Sequence, residues 1–97
     1  LDIGHEYRDG KDPLKSMEQY AARVHDVHIK NVTAATKAGH GIQMPRGEID
    51  LPGFVRVLRK VGYPGMCSLE YEKEMDNPLV GVAESIGYFR GLMDAIT

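Results

Sequence analysis

The chain has 97 residues, 42% hydrophobic and 27% charged, ordinary values for one small folded domain and unlike those of a disordered chain. Lys and Arg number 12 against 14 Asp and Glu, a net charge of −2 with no block of like charge, so a nucleic acid partner is not expected. Apolar runs are only a few residues long, which excludes a membrane-spanning helix of about 20 residues.

Cys67 is alone, so no disulfide within the chain staples the fold. That usage fits a reducing compartment, and a cytoplasmic location is expected. The first residue is Leu1 rather than Met, in what reads as the end of a strand, so a partial polypeptide is also expected.

Taken in chain order, Leu1 to Tyr7 reads as a strand end running into a loop. Asp12 is the expected N-cap of a helix from Pro13 to about Ala22, with Leu14, Met17 and Ala21 on its buried face. A strand is predicted over Val24 to Asn31: Val27 and Ile29 share one face, and Asp26, His28 and Lys30 share the other. Residues 33 to 48 read as one long connection, a length that often carries function. Asp50 and Pro52 open the next helix, Phe54, Val57, Leu58 and Val61 form its apolar stripe, and Gly62 ends it. Met66 to Glu72 reads as a strand alternating Cys67, Leu69 and Tyr71 with Ser68, Glu70 and Glu72. The last helix is predicted over Leu79 to Ala95, with Val82, Ile86, Phe89 and Leu92 near helical spacing.

Strand and helix therefore alternate, the pattern of an α/β fold in which helices cover a parallel sheet. Repeated βα units are the building blocks of the (β/α)8 barrel, which takes around 250 residues to close. Three units cannot close one. Either a missing barrel segment completes the fold, or copies of the chain do so as a homo-oligomer.

Ligands of such sheets bind at the carboxyl ends of the strands. That rule selects Asp2 and His5 after the first strand, His28 and Lys30 on the second, and Glu70 and Glu72 on the third. Taken singly, Asp2 could cap a turn, His5 could be a surface histidine and His28 a satisfied core residue. Glu70 is costly to bury without a partner, which favours a ligand or ion-pair role. Glu72 reads as part of a solvated strand exit. One Asp, one His and one Glu from successive strand ends form a mixed oxygen and nitrogen donor set that suits Mn²⁺, Mg²⁺, Co²⁺ or Zn²⁺.

Four motifs, Asp2-Ile3-Gly4-His5, Val27-His28-Ile29-Lys30-Asn31, Arg46-Gly47-Glu48-Ile49-Asp50 and Ser68-Leu69-Glu70-Tyr71-Glu72, fall in the order and spacing of one family. The chain resembles the sugar phosphate isomerase/epimerase family of xylose isomerase-like TIM barrels. The resemblance extends over residues 1–97 and matches the C-terminal three-eighths of the barrel, from the end of the sixth strand to the final helix. It implies a divalent metal held by Asp2, His28 and Glu70, with Glu70 also the catalytic acid/base, and a sugar substrate contacted by His5, Lys30 and Arg46. The implied reaction is isomerisation or epimerisation by proton transfer next to a carbonyl, through a metal-stabilised enediolate.

The same family places a fourth ligand, a glutamate that is also the second acid/base, on a strand that would precede Leu1. Asn31 stands where an aspartate is common, which reads as a mild change. A lone chain with three of four ligands is expected to be inactive by itself. Alternatives are a sugar dehydratase or lyase on the same metal site, or an inactive barrel fragment that oligomerises. The related apurinic endonuclease class fits less well, because His40 and Asp50 lack its close Asp-x-His arrangement and the net charge disfavours DNA.

Overall fold

A computed structural model describes residues 1–96. Its elements in chain order are α1 (Ile3–Arg8), α2 (Pro13–Tyr20), β1 (Asp26–Ile29), β2 (Asn31–Val32), β3 (Gly41–Ile42), α3 (Leu51–Val61), β4 (Met66–Leu69) and α4 (Leu79–Ala95). Short 3-10 turns at Ala21–Arg23 and Met44–Arg46 complete the path.

The layer that positions everything else is parallel. β1 pairs with β4 so that His28 lies opposite Ser68 and Ile29 opposite Leu69. Asp2 bridges His28 on the other side of β1, also in parallel sense. The Leu1 amino group donates to the Asp26 carbonyl at 2.9 Å, and the His28 N–H donates to the Leu1 carbonyl at 2.8 Å. The three strand ends thus lie side by side in chain order, as α/β alternation predicts.

Alternation along β1 sorts its two faces. Val27 and Ile29 are buried against the helical layer, and His28 stands on the opposite face with the following Lys30. Under the helical layer, Ile3, Met17, Val27, Ile29, Leu51, Phe54, Val57 and Leu58 form one continuous core. α3 supplies four of these residues, Leu51, Phe54, Val57 and Leu58, because its apolar residues recur at helical spacing. It starts where Asp50 accepts the Gly53 N–H at 2.9 Å and stops at Gly62, whose φ of 65° suits a left-handed cap.

Three expectations are corrected. Residues 3 to 8 form a helix, not a loop after a strand, because the Asp2 side chain caps the chain as soon as it leaves the sheet. The 33–48 connection is not structureless: β2 and β3 pair antiparallel, Asn31 with Ile42 and Val32 with Gly41. The third correction concerns α4, which buries Gly81 and Ser85 and leaves Ile86, within its expected stripe, 37% exposed. Small residues let α4 approach closely: the Tyr71 ring lies over Gly81, and the Ser85 hydroxyl accepts the Met44 N–H at 3.0 Å. Leu79 and Val80 remain exposed near its start.

Asn31 is buried and bonded through both ends of its amide. Its buried amide donates to the carbonyls of Met44 at 2.8 Å and Ile49 at 3.4 Å, and its oxygen accepts the N–H groups of Val32 and Ile49, each at 2.9 Å. Only a side chain with both a donor and an acceptor serves both sets, and a carboxylate offers acceptors alone. Asn31→Asp is therefore expected to destabilise the chain by about 3 kcal/mol in urea unfolding, because two carbonyls would face a buried charge.

Cys67 points toward the helical layer, where burial, helped by Asp26, pushes its thiol from 9.0 up to about 11. A raised thiol pKa favours the neutral, folded form. Its stabilising contribution is full below pH 9 and is lost as pH rises toward about 11. Iodoacetamide at neutral pH is expected to label native Cys67 far more slowly than the urea-unfolded chain.

Candidate functional site

The parallel register carries three side chains to one place. One donor atom each from Asp2, His28 and Glu70 lies within 4.8 Å of the others. His28 Nδ1 stands 3.8 Å from Asp2 Oδ2 and 3.5 Å from Glu70 Oε2. Glu70 follows the last paired residue of β4, and its N–H continues the ladder by donating to the Ile29 carbonyl at 3.0 Å.

Asp2 works with both oxygens. Oδ1 accepts the His5 N–H at 3.0 Å and caps α1, while Oδ2 faces the cluster. The capping and ligand readings of Asp2 are therefore compatible. His5 sits on α1 with its Nε2 at 3.7 Å from the same Oδ2, and its side chain is 63% exposed.

Lys30 closes the cluster. Its ammonium lies 3.1 Å from Asp2 Oδ2, 3.1 Å from Glu70 Oε1 and 3.3 Å from Glu72 Oε1, with only 8% of the side chain exposed. The stem of Lys30 crosses α1 directly over Gly4, where any Cβ would strike it. Glycine at position 4 is what lets a lysine on one strand reach carboxylates on both of its neighbours.

Burial, the largest influence on Asp2, opposes its charge, but the His5 N–H and Lys30 outweigh it and hold its pKa below the ordinary carboxylate value. Burial also opposes the charge on Lys30. Hydrogen bonds to Asp2, Glu70 and Glu72, with the Asp2 charge, overcome this and raise its pKa. Both groups are thus charged at neutral pH, and three carboxylates against one ammonium leave a net negative cluster.

A cavity of about 220 Å³ opens beside the cluster, lined by His5, Lys30, Glu70 and Glu72 together with Arg8 and His40. Arg46 does not join them: its guanidinium makes a two-pronged ion pair with Glu84 of α4, at 2.9 and 2.8 Å. Sequence reasoning missed Arg8 and understated Glu72. Arg8 had a readable signal, since it stands three residues after His5 and so shares a helical face with it. The Glu72 contact had none, because a solvated strand exit and an ion-paired one look alike in sequence.

The donor set tests well against a divalent cation. It offers two carboxylate oxygens and one imidazole nitrogen from three rigid strand ends, and its excess of negative charge is of the sign a cation neutralises. The Lys30 ammonium already occupies part of that electrostatic role. Lys30→Met would leave Asp2, Glu70 and Glu72 facing one another without their shared cation. The expected loss, discounted for the exposure of the two glutamates, is about 2 kcal/mol in urea unfolding with a chelator present.

The family model that describes the xylose isomerase-like TIM barrel matches residues 1–92. Among solved structures, the xylose isomerase domain protein from Planctomyces limnophilus superposes with a TM-score of 0.84 at 20% sequence identity. The match covers 98% of this chain and 37% of that protein, so the chain spans well under half of its structural relative. No curated protein sequence matches. With the family model matching nearly the whole chain, this polypeptide belongs to the xylose isomerase-like TIM barrel family.

Proposed function

We propose that this segment supplies the metal-binding and acid/base half of a divalent-metal-dependent sugar isomerase or epimerase. The observation that carries this reading is the convergence of Asp2, His28 and Glu70 within 4.8 Å at the carboxyl ends of adjacent parallel strands. A divalent cation held there would supply Lewis-acid polarisation of the substrate carbonyl.

The chain's own residues divide the remaining work. Glu70 takes a proton from the carbon beside the carbonyl, or delivers one to it, on its own face only, and the opposite face belongs to the second acid/base of the complete barrel. Its Oε1, 3.1 Å from the Lys30 ammonium, is held in place for that transfer. His5 donates a hydrogen bond to a substrate hydroxyl or to the oxygen on which negative charge develops, and Lys30, with its ammonium facing Asp2, Glu70 and Glu72, holds those carboxylates in place. Arg46, engaged by Glu84, acts in this reading on the position of its own loop and not on substrate. The strand before Leu1 in a whole barrel would contribute the opposing acid/base, so turnover belongs to the complete barrel.

Calorimetric titration of the chain with Mn²⁺ tests the half-site directly. Micromolar binding, weakened by Asp2→Ala, His28→Ala and Glu70→Ala alike, is the expected result; absence of binding to the unsubstituted chain would overturn it. In a complete barrel carrying this segment, Glu70→Gln is expected to lower kcat by about 10²-fold or more while the fold is retained. Retained turnover would remove Glu70 from its role.

A further inference from the structure

Lys30 already holds the two carboxylates that a divalent cation would need. Its ammonium lies 3.1 Å from Asp2 Oδ2 and 3.1 Å from Glu70 Oε1. Asp2 Oδ2 is also the oxygen that faces His28 Nδ1, at 3.8 Å. An ammonium and a divalent cation set against one oxygen repel each other strongly in a partly buried site, so the two positions exclude one another.

Glu72 stands apart from this contest. Asp2, His28 and Glu70 bring one donor atom each to a common point, and Glu72 does not join them. Yet Glu72 Oε1 already touches the ammonium, at 3.3 Å. It is also the most open of the three carboxylates, its side chain 66% exposed against 18% for Asp2 and 34% for Glu70. Lys30 therefore has two partners inside the donor set and one outside it. Its stem is packed over Gly4, so a change of partner needs only the end of the side chain to turn.

We propose that Lys30 is a resident cation at the metal position. It gathers Asp2 and Glu70 in the metal-free chain, yields both to an arriving divalent cation, and withdraws onto Glu72. Glu72 is then a positioning residue that acts on metal binding through Lys30 without being a ligand. The proposal rests on the metal reading of the Asp2, His28 and Glu70 cluster and adds to it the exchange that loading requires. Affinity is set below what the three donors alone would provide, because loading breaks two ion pairs that Lys30 already makes.

Calorimetric titration with Mn²⁺ of the unsubstituted chain, Lys30→Met, Glu72→Gln and the double variant tests the exchange. Lys30→Met is expected to bind Mn²⁺ about tenfold tighter. Glu72→Gln is expected to bind about fivefold more weakly while Lys30 is present, and to have a much smaller effect beside Met, because its cost arises through the lysine. Direct attraction between Glu72 and the ion would cost the same in both backgrounds. Lys73→Met removes a like charge next to Glu72 in the chain, from an ammonium that contacts the Gln43 amide oxygen, and is expected to change binding by less than about twofold. Since Lys30→Met weakens the metal-free fold, side-chain NMR of the unsubstituted chain gives a second readout. The Lys30 ε-methylene signals are expected to move on saturation with diamagnetic Zn²⁺. Mn²⁺ binding that Lys30→Met leaves equal or weaker, an equal effect of Glu72→Gln in both backgrounds, or Lys30 signals unmoved at saturating Zn²⁺ overturns the exchange and leaves the metal reading standing. Absence of Mn²⁺ binding to both the unsubstituted chain and Lys30→Met overturns the metal reading and the exchange together.

Discussion

One ammonium group ties this structure together at the point where chemistry is expected. Lys30 extends from the end of one strand, passes over a glycine, and meets carboxylates from the strand end on each side. Three acidic side chains this close would repel one another in a partly buried site, and the lysine offsets that repulsion. Contacts of 3.1, 3.1 and 3.3 Å to Asp2, Glu70 and Glu72 gather the three carboxylates around its one ammonium. The cost is a glycine inside α1, where helix propensity would prefer almost anything else.

The parallel sheet is the scaffold that makes this meeting possible. Side chains at the carboxyl ends of neighbouring parallel strands point into one space: the register puts Asp2 level with His28, and Glu70 lies two residues beyond His28's partner Ser68, in step with Lys30. Behind the sheet, α3 and α2 hold Val27 and Ile29 from the other face, which keeps His28 and Lys30 turned toward the cluster. The antiparallel β2–β3 pair, locked by the Asn31 amide, brings His40 to the rim of the cavity. Packing, register and site are thus one arrangement. Exposed Leu79 and Val80 at the start of α4 and exposed Met66 at the start of β4 mark apolar surface that the helical layer leaves uncovered. No described helix is long and apolar enough to cross a membrane.

Much of this was legible in the sequence because it follows from period. Alternation placed Val27 and Ile29 opposite His28 and Lys30, Asp50 and Gly62 bounded α3, and the strand-end rule selected Asp2, His5, His28, Lys30, Glu70 and Glu72, which the structure brings to one end of the sheet. What escaped has physical reasons. A strand of two residues has no period to detect, so β3 was hidden inside the 33–48 loop and β2 merged with the end of the strand expected over Val24 to Asn31. α1 has six residues, including Gly4 and His5, and forms because Asp2 caps it where the sheet ends. Long side chains were harder still. Whether Lys30 reached for substrate or for its neighbours depended on Gly4, and Arg46 was claimed by Glu84, 38 positions away in the chain. Such choices are made by tertiary distance, which local pattern does not encode.

The proposed cation position lies where the three strand ends meet beside Lys30. Paramagnetic broadening of the amide NMR spectrum by substoichiometric Mn²⁺ tests it most directly, because the effect falls steeply with distance from the ion. The account predicts that amides of Asp2, His28, Lys30 and Glu70 vanish first, while those around the acidic helix caps Asp12 and Asp50 persist. Broadening centred on Asp12 and Asp50, or spread evenly over exposed carboxylates, would contradict it.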